Sequence, residues 1–129
     1  MELEEKVNIN MWGVNDLKTP KKYENMRKEL EIISEKTRYK ILLTLLASEE
    51  SLSFSRLREL LPSIPENTLN YHLKILKEND FIKNEKKLEY KRSEPRSFYS
   101  LSKKSINLLE TLGLTAVREE FRALFKQMT

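Results

Sequence analysis

The 129-residue sequence predicts a mainly α-helical fold with one small β-hairpin. Apolar residues recur at helical spacing along most of the chain. Two stretches, residues 81–90 and 97–101, are instead rich in β-forming residues, and the polar segment 91–96 between them contains a proline. With 39% hydrophobic residues, the chain can build one core but is too short for two domains.

The N-terminal segment, residues 1–19, is polar and acidic. Its alternating stretch, residues 7–11, is either a short strand at a sheet edge or a tail that becomes ordered on a partner. Thr19 and Pro20 predict the start of the first helix, because proline suits the first helical position. The apolar stripe of this helix consists of Tyr23, Met26, Leu30 and Ile33.

Three further helices are expected before the hairpin. Ser34 predicts the start of the second helix, and a very short strand, residues 52–54, follows it. Ser55 is expected to cap a short third helix. Pro65 is expected at the first position of a fourth helix, over residues 66–79.

After the hairpin, Ser102 is expected to cap the last helical region. Two apolar stripes follow, and they are out of phase across Gly113. We therefore expect a kink or a break at this glycine.

A short helix, a turn, a longer helix and a hairpin follow one another in a winged helix-turn-helix. The sequence thus predicts an N-terminal tail or strand at residues 1–19, a winged helix-turn-helix domain at residues 20–112 and a separate C-terminal helix at residues 113–129.

The composition argues against most enzymes. The chain has no cysteine, one histidine and two glycines. Thiolate sites, histidine-rich metal sites and phosphate-binding glycine loops are therefore not expected. No hydroxyl nucleophile has a base nearby in the sequence pattern, so we expect no enzyme, metal or cofactor. The lack of a long apolar run or a signal-peptide pattern indicates a soluble, cytoplasmic protein with no membrane partner.

Positive charge is concentrated in one part of the chain. Residues 63–104 contain ten Lys and Arg against six Asp and Glu, which gives +4, the net charge of the whole chain. Such a segment is typical of a surface that binds a polyanion, although a solvated Lys/Glu face gives the same count.

The free face of the fourth helix has the chemistry of a DNA-reading surface. Three leucines, Leu69, Leu73 and Leu76, define the buried face. The opposite face and its flanks carry amide, hydroxyl, aromatic and ammonium groups, which suit base edges and phosphates. These residues are Asn67, Thr68, Asn70, Tyr71 and Lys74.

Two other residues of this helix are expected to have structural roles. Glu66 suits the positive end of the helix dipole, although its carboxylate could also accept from a cytosine amino group. His72 lies on the buried flank and is expected to pack there rather than to contact a base or a metal.

In the hairpin, five basic residues could contact phosphates or the minor groove: Lys86, Lys87, Lys91, Arg92 and Arg96.

Four segments carry a family resemblance. Residues 35–42 (EKTRYKIL) resemble the opening helix of the ArsR-type winged-helix regulators, and residues 67–76 (NTLNYHLKIL) resemble their recognition helix. Residues 81–82 resemble the first wing strand. The returning strand, residues 96–102 (RSFYSLS), has a form also common in MarR-like proteins.

This resemblance implies a homodimeric, sequence-specific transcriptional regulator, usually a repressor. It also implies that the first and last helices build the dimer, which fits their two apolar stripes. The expected dimer residues are Tyr23, Met26, Leu30, Ile33, Leu114, Val117, Phe121, Leu124, Phe125 and Met128.

The sequence departs from the family pattern in three ways. The ligand residues of the metal-sensing members are absent, Asp80 replaces the usual glycine after the recognition helix, and both termini extend beyond the shared core. In addition, the abundance of Lys and Glu with a single Gln resembles proteins of thermophiles or archaea.

Three functions remain open on the sequence. We favour a homodimer that binds double-stranded DNA at a pseudo-palindromic operator. The alternative is a winged-helix protein-interaction module, or a protein that coats chromatin without sequence preference. An enzyme is the weakest interpretation. Whether a small-molecule effector controls binding cannot be read from the sequence.

Overall fold

A computed structural model describes residues 20–48, 50–88 and 94–128. The prediction of a mainly helical chain with a small antiparallel wing is confirmed. The elements are α1 (Lys21–Ser34), α2 (Lys36–Ala47), β1 (Leu52–Ser53), α3 (Phe54–Leu60), α4 (Glu66–Glu78), β2 (Ile82–Lys87), β3 (Arg96–Leu101), α5 (Lys103–Thr111), a 3₁₀ turn (Leu114–Val117) and α6 (Arg118–Met128). The predicted N-terminal strand or tail lies outside the described residues.

The described part of the chain divides into two compact units, and the boundary between them lies between Glu31 and Ile32. The described residues of the first unit lie almost entirely in α1. There Arg27 forms ion pairs with Glu24 at 2.7 Å and with Glu31 at 2.9 Å, on neighbouring turns of the helix.

The second unit has its core around α2, in which every residue from 41 to 47 is buried. A helix that is apolar on all sides is buried by its neighbours, and here α4, β3 and α6 pack against it. The fully buried large side chains are Ile41, Leu42, Leu46, Leu57, Leu69, Leu76, Phe81 and Leu109. In the described ranges, no helix is long and apolar enough to span a membrane.

The three strands form one antiparallel sheet in the order β1-β3-β2. Leu52 pairs with Tyr99, and Ile82 pairs with Leu101. The pair β2–β3 is the wing. Residues 89–93, the expected tip of the hairpin, lie outside the described residues.

Three predicted helix starts, those at Ser34, Ser55 and Pro65, are wrong by one or two residues. Glu35, not Ser34, caps α2, because its carboxylate accepts from the Arg38 backbone N–H at 2.9 Å. Ser53, not Ser55, caps α3, because the strand β1 leads directly into the helix. Pro65 occupies the N-cap of α4, one residue before the expected position. Ser102 caps α5 as predicted.

Two residues end helices in the left-handed backbone region. Asp80 follows α4 with φ 62°, the conformation that a glycine would adopt most easily. Gly113 follows α5 with φ 78°, and the chain continues through the 3₁₀ turn into α6. The predicted break at Gly113 is therefore confirmed.

Candidate nucleic-acid interface

The candidate recognition helix, α4, is anchored to the core by one face. Leu69 and Leu76 are fully buried and Leu73 is nearly so. The helix α3 contributes Leu57 and Leu60 to the same core, and a short turn joins the two helices. This packing fixes the rotation of α4 about its axis and determines which side chains remain free.

The free face of α4 consists of the side chains that the sequence assigned to DNA. Asn67, Asn70, Tyr71 and Lys74 are exposed, and Thr68 is half-buried. Tyr71 is 61% exposed, a large fraction for an aromatic side chain. These groups can donate to and accept from base edges, and none of the five is acidic.

Glu66 forms an ion pair with Arg58, a residue that the sequence pattern did not indicate. Its Oε1 lies 3.1 Å from Nη1 of Arg58 in α3, and both side chains are about half exposed. The pair joins the two helices of the motif and offsets the negative charge at the start of α4. At this exposure we expect it to add little to stability.

His72 is buried as predicted, with 8% of its surface exposed. Its Nδ1 lies 3.1 Å from Nη1 of Arg38, whose Nε donates to the carbonyl of Ile32 at 2.6 Å. Because a guanidinium is only a donor, Nδ1 of His72 is the acceptor and the ring proton is on Nε2. One guanidinium thus joins the last turn of α1 to the middle of α4.

Glu35 completes this cluster, with Oε1 3.7 Å from Nδ1 of His72. Burial opposes the charge on Glu35, but hydrogen bonds from the backbone N–H groups of Arg38 and Thr37, with the charge of the nearby Arg38 guanidinium, outweigh it. The pKa of Glu35 is therefore lowered from its ordinary value. The carboxylate is ionised at neutral pH and holds the first turn of α2.

The basic residues of the wing are partly held by the neighbouring element. Lys87 donates to Oγ of Ser51 at 2.9 Å and lies 5.1 Å from the ring centre of Phe98. Arg96 donates to Oγ of Ser55 at 3.2 Å. Lys86 is exposed. The remaining predicted wing residues, Lys91 and Arg92, lie outside the described residues.

A cavity of about 190 Å³ opens between α4 and the wing. Sequence reasoning identified two of its lining residues, Asn70 and Lys74, and missed the others. The only sequence signal for the missed residues was the position of Lys77, which follows Lys74 by three residues and so lies next to it on the helix surface. The lining residues are Asn70, Leu73, Lys74, Lys77, Asn84 and Tyr99.

The predicted dimer residues are distributed unevenly. Tyr23 and Met26 are 55% and 46% exposed, while Leu30 and Leu114 are half-buried. Ile33 is buried, with 3% exposed. The side chains of five residues of the 3₁₀ turn and α6 lie outside the described part of the structure: Val117, Phe121, Leu124, Phe125 and Met128.

Comparison with known proteins agrees with this geometry. Residues 33–85 match the model of a helix-turn-helix domain family. Among curated proteins, none matches the sequence. A Halomicrobium mukohataei protein with a GntR-superfamily winged helix-turn-helix domain is 21% identical, with TM-score 0.76, over 88% of this chain and 81% of its own.

Two further solved structures share the fold. A candidate MarR-family transcriptional regulator from Enterococcus faecalis V583 is 20% identical, with TM-score 0.62, over 90% of this chain and 100% of its own. The reduced form of the transcriptional regulator YodB from B. subtilis is 19% identical, with TM-score 0.58, over 81% and 95%. The chain therefore has a winged helix-turn-helix fold, and residues 33–85 form its helix-turn-helix part.

Proposed function

We propose that this protein is a transcriptional regulator that binds double-stranded DNA through α4 and the wing. The observation that carries the proposal is the free face of α4, where amide, phenol and ammonium groups are exposed on a helix whose other face is fixed by buried leucines. A rigid helix with such a face can place donors and acceptors against base edges in the major groove.

Each exposed group of α4 has a role in this proposal. Asn67 and Asn70 suit adenine, which an amide can bind with two hydrogen bonds. Thr68 and Tyr71 contact thymine methyls or phosphates, and Lys74 binds guanine or phosphate. In the wing, Lys86, Lys87 and Arg96, with Lys91 and Arg92, contact the phosphates beside the minor groove.

We further propose that the protein is a homodimer of the ArsR type, that it binds a pseudo-palindromic operator and that it represses by covering a promoter. In this scheme residues 20–112 form the DNA-binding domain and residues 113–129 the C-terminal dimerisation helix. The exposed stripe of Tyr23 and Met26 on α1 supports a partner at that helix. Repressors of this kind work in the cytoplasm, beside the chromosome.

The DNA-binding proposal is tested by titrating salt against the wild-type protein and a 30-base-pair duplex of random sequence. We expect affinity to fall steeply and linearly in a log–log plot, because each neutralised phosphate contributes a slope of about −0.9. A flat plot from folded protein would contradict the proposal and favour a protein-interaction module.

The dimer is tested by Met26→Glu, measured by sedimentation equilibrium. A charge on the exposed stripe of α1 is expected to convert the dimer to monomer, because it would be buried without a counter-ion. Lys28→Glu, on the opposite side of α1, serves as the control and should remain dimeric. A monomeric wild type, or a dimer that Met26→Glu leaves intact, would contradict this part of the proposal.

A further inference from the structure

We propose that the cleft between α4 and the wing binds one backbone phosphate of the DNA strand that separates the major from the minor groove. Lys77, Asn84 and Tyr99 join Lys74 in this site. The inference rests on the proposed DNA-binding function and assigns three residues that the sequence pattern did not.

The geometry of a duplex supplies the first argument. Major and minor grooves are separated by a single sugar–phosphate strand. If α4 lies in the major groove and the wing in the adjacent minor groove, the cleft between them faces that strand. Lys74 lies on both the free face of α4 and the wall of the cleft, so the cleft is continuous with the base-reading surface.

The charge of the cleft supplies the second argument. Two lysines, Lys74 and Lys77, line it, and no carboxylate does. Within the described residues neither ammonium group forms an ion pair. A cavity of about 190 Å³, several times the roughly 30 Å³ occupied by a water molecule, has room for an anionic group.

The wing contributes a polar wall to the cleft. The carbonyl oxygen Oδ1 of Asn84 is buried and has no hydrogen-bond partner. Such an acceptor is costly, and an ammonium group held between it and a phosphate oxygen would satisfy both. Burial raises the pKa of Tyr99, so its phenol keeps the proton that it can donate to phosphate.

The test compares Lys77→Ala and Asn84→Asp with the wild type in the salt titration on the random duplex. Loss of one phosphate contact should make the salt slope of Lys77→Ala shallower by about 0.9. When salt is raised from 50 to 200 mM, the factor by which the variant loses affinity should therefore be about 3.5-fold smaller than the factor for the wild type. Asn84→Asp should weaken binding to every duplex, because it places a carboxylate beside the phosphate.

Lys83→Ala is the matched control. Lys83 precedes Asn84 in β2, is exposed, and lies on the opposite face of the strand. The substitution Lys83→Ala therefore removes the same charge as Lys77→Ala without changing a residue of the cleft. Its slope should stay that of the wild type. Thermal unfolding of all three variants establishes that they are folded.

The outcomes separate the inference from the proposed function. If the wild type shows no salt-dependent binding, the DNA-binding function fails. If it does, and the slope of Lys77→Ala equals that of Lys83→Ala, the cleft site is refuted. A third outcome is that inorganic phosphate stabilises the wild type but not Lys77→Ala, while the salt slope of DNA binding is the same in both. That result would assign the cleft to a free anion and would also overturn the inference.

Discussion

At the scale of single residues, Tyr71 has the most distinctive position on α4. Its ring meets the His72 ring edge-on, with centroids 5.0 Å apart and an angle of 72° between the planes. His72 is itself held by Arg38. The exposed Tyr71 ring therefore packs against the buried, hydrogen-bonded ring of His72. This contact restricts the rotamers that Tyr71 can adopt.

Tyr71→Ala tests this role directly. We expect specific binding to weaken by roughly 1–3 kcal/mol while binding to random duplex changes little, because a base contact carries sequence information and a phosphate contact does not. Fluorescence anisotropy on both duplexes measures the ratio, and Tyr71→Phe separates the ring from the hydroxyl. An equal loss on both duplexes would assign Tyr71 to the backbone instead.

Glu35 gives a residue-scale prediction about pH. Because its folded-state pKa is lowered, its contribution to stability is fully present above the ordinary value of 4.5 and is lost as the pH falls through the lower folded-state value. Replacing it by Gln should cost about 1 kcal/mol at pH 7, an ordinary value for a helix cap.

Denaturant unfolding at pH 7 and at pH 3 measures this effect. The difference between wild type and Glu35→Gln should shrink at the lower pH. Glu59→Gln, a more exposed carboxylate in α3, is the control and should change stability little at either pH. A Glu35→Gln difference that is the same at both pH values would rule out the ionised cap.

At the scale of elements, the orientation of α4 depends on more than its leucines. The guanidinium of Arg38 connects the Ile32 carbonyl at the end of α1, its own helix α2 and the His72 ring of α4. Three helices thus meet at one side chain.

Arg38→Ala should destabilise the fold by roughly 1–3 kcal/mol, because it leaves the Ile32 carbonyl and Nδ1 of His72 without their donor. Arg38→Lys should recover part of this loss, since one ammonium cannot reproduce the planar fork. Arg58→Ala, which removes an exposed pair, should cost at most about 1 kcal/mol. Equal costs for Arg38→Ala and Arg58→Ala in urea unfolding would contradict the assigned role.

The residues that cap α2 and α3 could not be predicted from the sequence alone. Ser34 and Glu35 are adjacent, and Ser53 and Ser55 are two residues apart. In each pair both side chains could cap the helix that follows. Which one does so depends on where the preceding segment ends in space, and the local sequence pattern does not encode that position. The break at Gly113 was predictable, because an apolar stripe that changes phase cannot continue on one straight helix.

For the whole molecule, the periodicity of the sequence predicted the fold and the free face of α4. The leucine spacing fixes which side of that helix is buried, so Asn67, Tyr71 and Lys74 were found on the exposed side. The cleft was not predictable, because Lys77 and Asn84 come together only when the wing folds against α4. The pairing of Arg58 with Glu66 was missed for the same reason.

We propose above all that this protein reads a DNA sequence as a symmetric dimer. In-vitro selection of bound duplexes from a random pool at about 150 mM salt, where nonspecific attraction is partly screened, tests it most directly. We predict enrichment of an inverted repeat whose half-sites lie about one helical turn apart. A pool that stays random in the presence of folded protein would contradict the account.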